Sequence, residues 1–191
     1  MASTIAAYLL ICIYLGTDAR LRTGEKARSL TIDKADRKST RLIGLAVGIS
    51  VMLLLLSPLF NRFRLGQLEA GWFTGWLGII MMLLGIFLRL WATRVLGRFY
   101  TRTLLTTADH RIVQDGPYRL LRHPGYSGSL LVWIGAGWAA NNWIVFACVT
   151  LIFCLSYLYR IQTEETMLKA KFGEEYEDYV RRTRRLIPFI Y

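Results

Sequence analysis

Cysteine, histidine and proline are scarce in this 191-residue chain, at three, two and four residues. Cys12, Cys148 and Cys154 all lie in apolar stretches and form no C-x-x-C pair, so they read as small buried hydrophobes, not as a redox pair. A zinc site needs three or four ligands drawn from Cys, His and carboxylates. His110 and His123 have no such partners at ligand spacing, and no metal is expected. Acidic residues are also few, with 13 Asp and Glu against 24 Lys and Arg, for a formal net charge of +11. Nucleic-acid binding would use such a charge on an exposed basic surface. Here the basic residues fall between apolar blocks, a pattern that fits a membrane surface. Neither Pro and Gly clusters nor repeats divide the chain, so it reads as a single membrane domain over 1–191. A transporter built from two inverted halves is not supported.

Apolar residues, by contrast, make up 54% of the chain and come in long runs. A spanning helix needs about 20 mostly apolar residues, with about 17 as a practical floor. Residues 42–60, 71–97 and 142–159 meet that length, with Arg89 and Arg94 near the far end of the second run. Residues 3–16 and 127–140 are shorter. The first has no basic residue ahead of it and no A-x-A cleavage site, against a signal peptide. The second is joined to the next run by Asn141-Asn142, which predicts a tight helical hairpin with one short arm.

The expected fold is therefore an all-α integral membrane protein of about five transmembrane helices, the last two a hairpin. Five spans put the basic segments 17–41, 98–126 and 160–191 on one side and leave only Arg62 and Arg64 on the other. The positive-inside rule makes the basic side cytoplasmic, with the N-terminus outside. Over 162–183, Met167, Leu168, Phe172, Tyr176, Tyr179 and Val180 form one stripe at helical spacing, with a break expected at Gly173. Glu164 and Glu165 near its start and arginines near its end suit the helix dipole. This amphipathic tail fits an interfacial position on the cytoplasmic face.

Three polar features converge on that face. Both histidines lie in one loop, whose backbone is fixed by Gly116-Pro117 and His123-Pro124. Arg160 and Glu164 are spaced i, i+4 and share a helix face; by itself such a pair is a local contact worth a few tenths of a kcal/mol. The third feature is the tail around Phe172-Gly173-Glu174-Glu175-Tyr176 and Arg184-Arg185-Leu186-Ile187-Pro188-Phe189.

Arg122-His123-Pro124-x-Tyr126-x-Gly128, then Glu164-Glu165-x-x-Leu168-x-x-x-Phe172-Gly173-x-x-Tyr176-x-x-Tyr179, resembles the isoprenylcysteine carboxyl methyltransferase family. The approach His110-x-x-Val113-x-x-Gly116-x-Tyr118 and the ending Arg185-Leu186-Ile187-Pro188-Phe189-Ile190 are similar too. The resemblance covers roughly 75–191, a core with a cofactor loop at 98–126 and a tail at 160–191; residues 1–70 carry no family signature. It implies S-adenosylmethionine as methyl donor, held by His110, Arg111, Ile112, Val113, Tyr118, His123, Pro124, Gly125, Tyr126 and Glu164. It implies a role for Arg160 in handling a lipophilic acceptor, an isoprenylcysteine carboxylate above all. Thr103 stands where the family's animal members carry Gln, which leaves one cofactor contact open. Related membrane enzymes methylate phospholipid amines or small thiols. Parts of the pattern also fit a sterol-reductase-like enzyme using NADPH, or a non-enzymatic scaffold gripping anionic lipid.

Overall fold

The computed structural model describes residues 2–21, 34–69, 71–97 and 112–187; for Leu21, 34–37 and Gly71 it describes the backbone alone. The chain order is α1 (Ala2–Leu21), α2 (Lys34–Arg62), α3 (Gly71–Leu96), a 3-10 turn (Gly116–Arg119), α4 (Pro124–Ala139), α5 (Trp143–Phe172) and α6 (Glu174–Arg182). By length and composition α1, α2, α3 and α5 can each cross a membrane. The chain is thus an all-α membrane protein. Its fifth long helix, α4, has 16 residues, the short hairpin arm expected from the sequence.

Three helices run further than hydropathy suggests, and α2 begins at Lys34, well ahead of its apolar run at 42–60. The apolar run of α1 ends at Gly16, yet the helix continues to Leu21. Thr17 bonds the Tyr14 carbonyl, and buried Asp18 pairs with Arg89 of α3, so the polar last turn is satisfied inside the bundle. α5 continues unbroken from the apolar run through Arg160, Glu164 and Glu165 to Phe172. The tail is therefore no separate helix until Gly173, whose φ of 53° ends α5 and lets α6 begin. The expected stripe is real: Tyr176 and Tyr179 are buried, and Met167, Leu168, Phe172 and Val180 are half-buried.

α4 lies at the centre, packed by α1, α3 and α5. Glycines set its approach to α3. A Cβ on Gly135 would stand 2.5 Å from the Gly78 carbonyl oxygen, and one on Gly128 would stand 2.6 Å from that of Gly85. The two reciprocal pairs let antiparallel backbones touch, the close packing that small residues permit in lipid. On the other side Trp133 stacks on Phe153 of α5 at 4.5 Å between ring centroids. α2 packs on α5. Its Pro58 cannot bond the Leu54 carbonyl. The hydroxyls of Ser57 and Tyr8 donate to that oxygen instead, each at 2.7 Å, so the proline also ties α1 to α2.

Polar knots close both ends of the bundle. At one end the hairpin tip is held by Ser3 and Thr4 on the Ala139 carbonyl, Asn61 on the Ala140 carbonyl, and Asn142 on Asn61 and the Leu65 carbonyl. The Asn142 side chain also caps α5 through the Val145 N–H at 3.1 Å. At the other end Arg89 joins Asp18, the Gly125 carbonyl and Ser129, and Tyr14 donates to Ser129 at 3.0 Å. From Gly125 to Ala139 the helical rise is about 22 Å, less than the roughly 30 Å hydrocarbon core of a bilayer.

Candidate active site

The Arg89 end of the bundle carries the polar motif residues. Here the stretch 120–123 meets the tail in a short parallel pairing. The Arg184 N–H donates to the Leu120 carbonyl at 2.9 Å, the Arg122 N–H to the Arg184 carbonyl at 2.7 Å and the His123 N–H to the Arg185 carbonyl at 3.1 Å. Pro124 then opens α4 at a position where a missing N–H costs nothing. The His123 carbonyl receives the N–H groups of Tyr126 and Ser127, and Ser127 Oγ donates to the Leu186 carbonyl at 2.6 Å. Loop, helix start and tail are thus one hydrogen-bonded unit. Tyr179 reinforces it by donating to the Tyr118 carbonyl at 2.8 Å. Burial pushes the phenols of Tyr176 and Tyr179 above their ordinary range, so both stay protonated.

Glu165 is the charge centre of that unit. Its Oε1 accepts from Arg122 Nε at 2.9 Å and lies 3.4 Å from His123 Nε2; its Oε2 accepts from Arg185 Nε at 3.0 Å. Arg122 also donates to the Thr183 carbonyl at 2.7 Å. One carboxylate on α5 therefore holds two arginines, one from the loop and one from the tail.

Beside it, Glu164 and, one turn earlier, Arg160 meet on a single phenol. Tyr126 Oη donates to Glu164 Oε2 at 2.7 Å and accepts from Arg160 Nε at 3.2 Å. The Tyr126 ring stacks on His123 at 5.5 Å and on Tyr157 at 5.1 Å, which fixes the hydroxyl between the two charged groups. Arg160 is buried, and its Nη1 donates to Ser39 Oγ at 2.6 Å and Thr40 Oγ1 at 3.2 Å on α2. The Glu164 side chain is 24% exposed. Among the described residues no hydrogen bond reaches its Oε1. An oxygen left open beside an aromatic stack suits an ammonium group.

The structure brings together Tyr126, His123, Glu164 and Arg160, as their motif spacing predicts. Pro124 is buried at the start of α4, and the Gly125 carbonyl accepts from Arg89 and Ser129. Ile112 and Val113 are half-buried and lead into the turn that carries Tyr118. His110, Arg111 and Thr103 lie outside the described residues. Sequence reasoning missed Ser39, Thr40 and the Asp18–Arg89 pair. Arg89 did leave a signal, because an arginine in a spanning run demands a partner.

The family model for isoprenylcysteine carboxyl methyltransferases matches residues 77–170. A probable protein-S-isoprenylcysteine O-methyltransferase of Oryza sativa subsp. indica is 31% identical over 144 residues, 74% of this chain and 75% of the relative. Protein-S-isoprenylcysteine O-methyltransferase B of Arabidopsis thaliana is 28% identical over 154 residues, 80% of this chain and 78% of the relative. The solved structure of the eukaryotic intramembrane Ras methyltransferase, an isoprenylcysteine carboxyl methyltransferase, superimposes with a TM-score of 0.63 at 28% identity and covers 78% of this chain. The chain spans 52% of that protein's length.

Proposed function

The chain belongs to the isoprenylcysteine carboxyl methyltransferase family, and from that premise we propose that it transfers a methyl group from S-adenosylmethionine to the carboxylate of an isoprenylcysteine-type acceptor. The observation that carries the reading is the Glu164–Tyr126–Arg160 relay, in which one phenol fixes an anion and a guanidinium side by side. The donor supplies an electrophilic methyl on a sulfonium, displaced in line by the acceptor oxygen. A carboxylate acceptor is already ionised at neutral pH, so the protein needs no general base. Its work is to align the two partners and exclude water.

In this reading Glu164 holds the donor's amino group through its open oxygen, a charge-assisted bond. His110, Arg111, Ile112, Val113 and Tyr118 line the donor from the loop, and His123, Pro124, Gly125 and Tyr126 from the start of α4. The Tyr126 ring is held between His123 and Tyr157, so its hydroxyl, and through it Glu164, is fixed in place. The His123 ring is itself buried against Glu165. Arg160, held by Tyr126, Ser39 and Thr40, orients the acceptor carboxylate by its fixed positive charge. The acceptor's lipid tail lies in the bilayer, and the site faces the cytoplasm. Family membership supports a methyl donor rather than NADPH, and an enzyme rather than a lipid-gripping scaffold.

The test is label transfer from methyl-labelled S-adenosylmethionine by the full chain in lipid nanodiscs. Isoprenylcysteine analogues, phospholipids and small thiols are offered in parallel, with NADPH titrated as a competing ligand. Base-labile label on the isoprenylcysteine analogue is expected. Label only on an amine or thiol would transfer the reading to that acceptor, and neither donor binding nor transfer would end it.

A further inference from the structure

We propose that Arg119, Arg182 and Arg184, with Leu120 and Ile187 beside them, form a docking surface for anionic phospholipid headgroups at the Glu165 end of the bundle. The surface is independent of the methyl acceptor: it follows from where the tail returns to the membrane.

α5 has 30 residues, a rise of about 45 Å against a hydrocarbon core of roughly 30 Å. Glu165 stands level with His123, at the start of α4. From there to Phe172 the helix rises about 10 Å further. Gly173 then turns the chain back: Glu177 of α6 pairs with Lys169 of α5 at 3.1 Å, and Arg185 reaches Glu165. The first turn of α6 holds Glu174, Glu175 and Glu177, and its last turn holds Arg181 and Arg182. α6 therefore keeps its acidic start away from the bilayer and brings its basic end back to the level of the first turn of α4.

Three arginines meet at that level. Arg119 ends the 3-10 turn, Arg182 ends α6, and the Arg184 N–H donates to the carbonyl of Leu120, next to Arg119. All three are exposed. The arginine and lysine ion pairs of this end use Arg122, Arg185, Lys169 and Arg181; among the described residues none uses Arg119, Arg182 or Arg184. Of the nearby acids, Asp178 is taken by Arg181, and exposed Asp115 leaves the surface with a net positive charge.

Apolar side chains flank that charge. Leu120 is 55% exposed and Ile187 50%. The 3-10 turn also packs on α3, where a Cβ on Gly116 would stand 3.4 Å from Trp91 Nε1. Trp91 is itself exposed, and tryptophans gather at the boundary of a bilayer. The surface thus joins side chains that enter the acyl boundary to guanidinium forks that suit a phosphate. A free phosphate ion would meet the arginines but leave Leu120 and Ile187 in water, whereas a lipid covers both.

The experiment measures binding of short-chain fluorescent phosphatidylglycerol, and of its phosphatidylcholine counterpart, to the full chain in neutral detergent by anisotropy. Wild type is compared with Arg119→Gln/Arg182→Gln/Arg184→Gln, with Arg119→Gln alone, and with Arg62→Gln/Arg64→Gln at the opposite end. Wild type is expected to prefer phosphatidylglycerol, and to do so less at high salt. One basic residue near a lipid surface is worth about fivefold. The single variant is expected to lose about that much affinity and the triple variant about tenfold to a hundredfold, with melting temperature and the affinity of the opposite-end variant near wild type. Equal affinity in wild type and triple variant would overturn the proposal, as would equal losses at the two ends, which would mean overall charge alone. Displacement of the lipid by millimolar inorganic phosphate would reduce the surface to a simple anion site, and tighter binding of a soluble acidic peptide would make it a protein-docking face. Either result would overturn the lipid assignment.

Discussion

At the scale of single residues, Tyr126 and Glu165 have separable jobs. Tyr126 contributes a ring, held between His123 and Tyr157, and a hydroxyl, shared by Arg160 and Glu164. Tyr126→Phe keeps the stack and deletes only the shared oxygen. Turnover is expected to fall about tenfold to a hundredfold, as for other hydrogen bonds to charged groups, while the melting temperature moves little. An unchanged rate on the natural acceptor would remove Tyr126 from the relay. Glu165 is different, because Arg122, Arg185 and His123 all converge on it. Removing one partner of a buried charge cluster strands the others, at a cost of about 3–5 kcal/mol. Glu165→Ala is therefore expected to lower the melting temperature and expose the 183–187 segment to protease, with Glu165→Gln recovering part of the loss. Wild-type thermal stability in both variants would rule out the clasp. The motif spacing made Tyr126, Glu164 and Arg160 legible in the sequence. The partners of Glu165 were not, because Arg122 and Arg185 come from separate segments that only folding brings together.

At the scale of elements, α4 shows why the pattern of hydropathy was an incomplete guide. Its short length was legible, and so was the Asn141-Asn142 turn. Its glycine contacts were not, since Gly128 and Gly135 acquire meaning only when Gly85 and Gly78 arrive opposite them. The extensions of α1 and α5 escaped for a related reason. Asp18 and Arg160 end an apolar run by hydropathy, yet each is bonded across the bundle and the helix carries on. Glycine chemistry gives a matched comparison. Gly135→Leu drives a side chain into the α3 backbone, which cannot yield, and a destabilisation of about 1–3 kcal/mol or more is expected. Gly48→Ala on α2 meets open space, so the gain in helix propensity of up to about 1 kcal/mol prevails. Melting curves in one detergent should move in opposite directions. Parallel shifts would mean that α3 and α4 are not in backbone contact.

At the scale of the whole molecule, the two polar knots define which groups share a side. Ser3, Asn61, Leu65 and Asn141 gather at one end, and Asp18, Arg89 and Gly125 at the other. The helices therefore alternate in direction, and the Glu165 cluster stands with the second group through His123 and the start of α4. We propose from the charge bias that the second end faces the cytoplasm, since the first keeps only Arg62 and Arg64 among its basic residues. This orientation can be measured without any assay of chemistry. The native cysteines all lie within helices, so they are replaced by alanine, and one new cysteine is placed at exposed Gln67 or exposed Asp115. In sealed inside-out vesicles a membrane-impermeant thiol reagent should label Gln67→Cys only after permeabilisation and Asp115→Cys before it. The reverse pattern would invert the topology and place the donor loop on the face away from the cytoplasm, where a supply of S-adenosylmethionine would have to be found. Labelling of both positions from one side would contradict the alternating bundle itself, because the turn after α2 and the loop before α4 would then share an end. The expected result would tie the sequence's charge bias to access of the proposed soluble donor to the site, with the proposed lipophilic acceptor arriving from the bilayer.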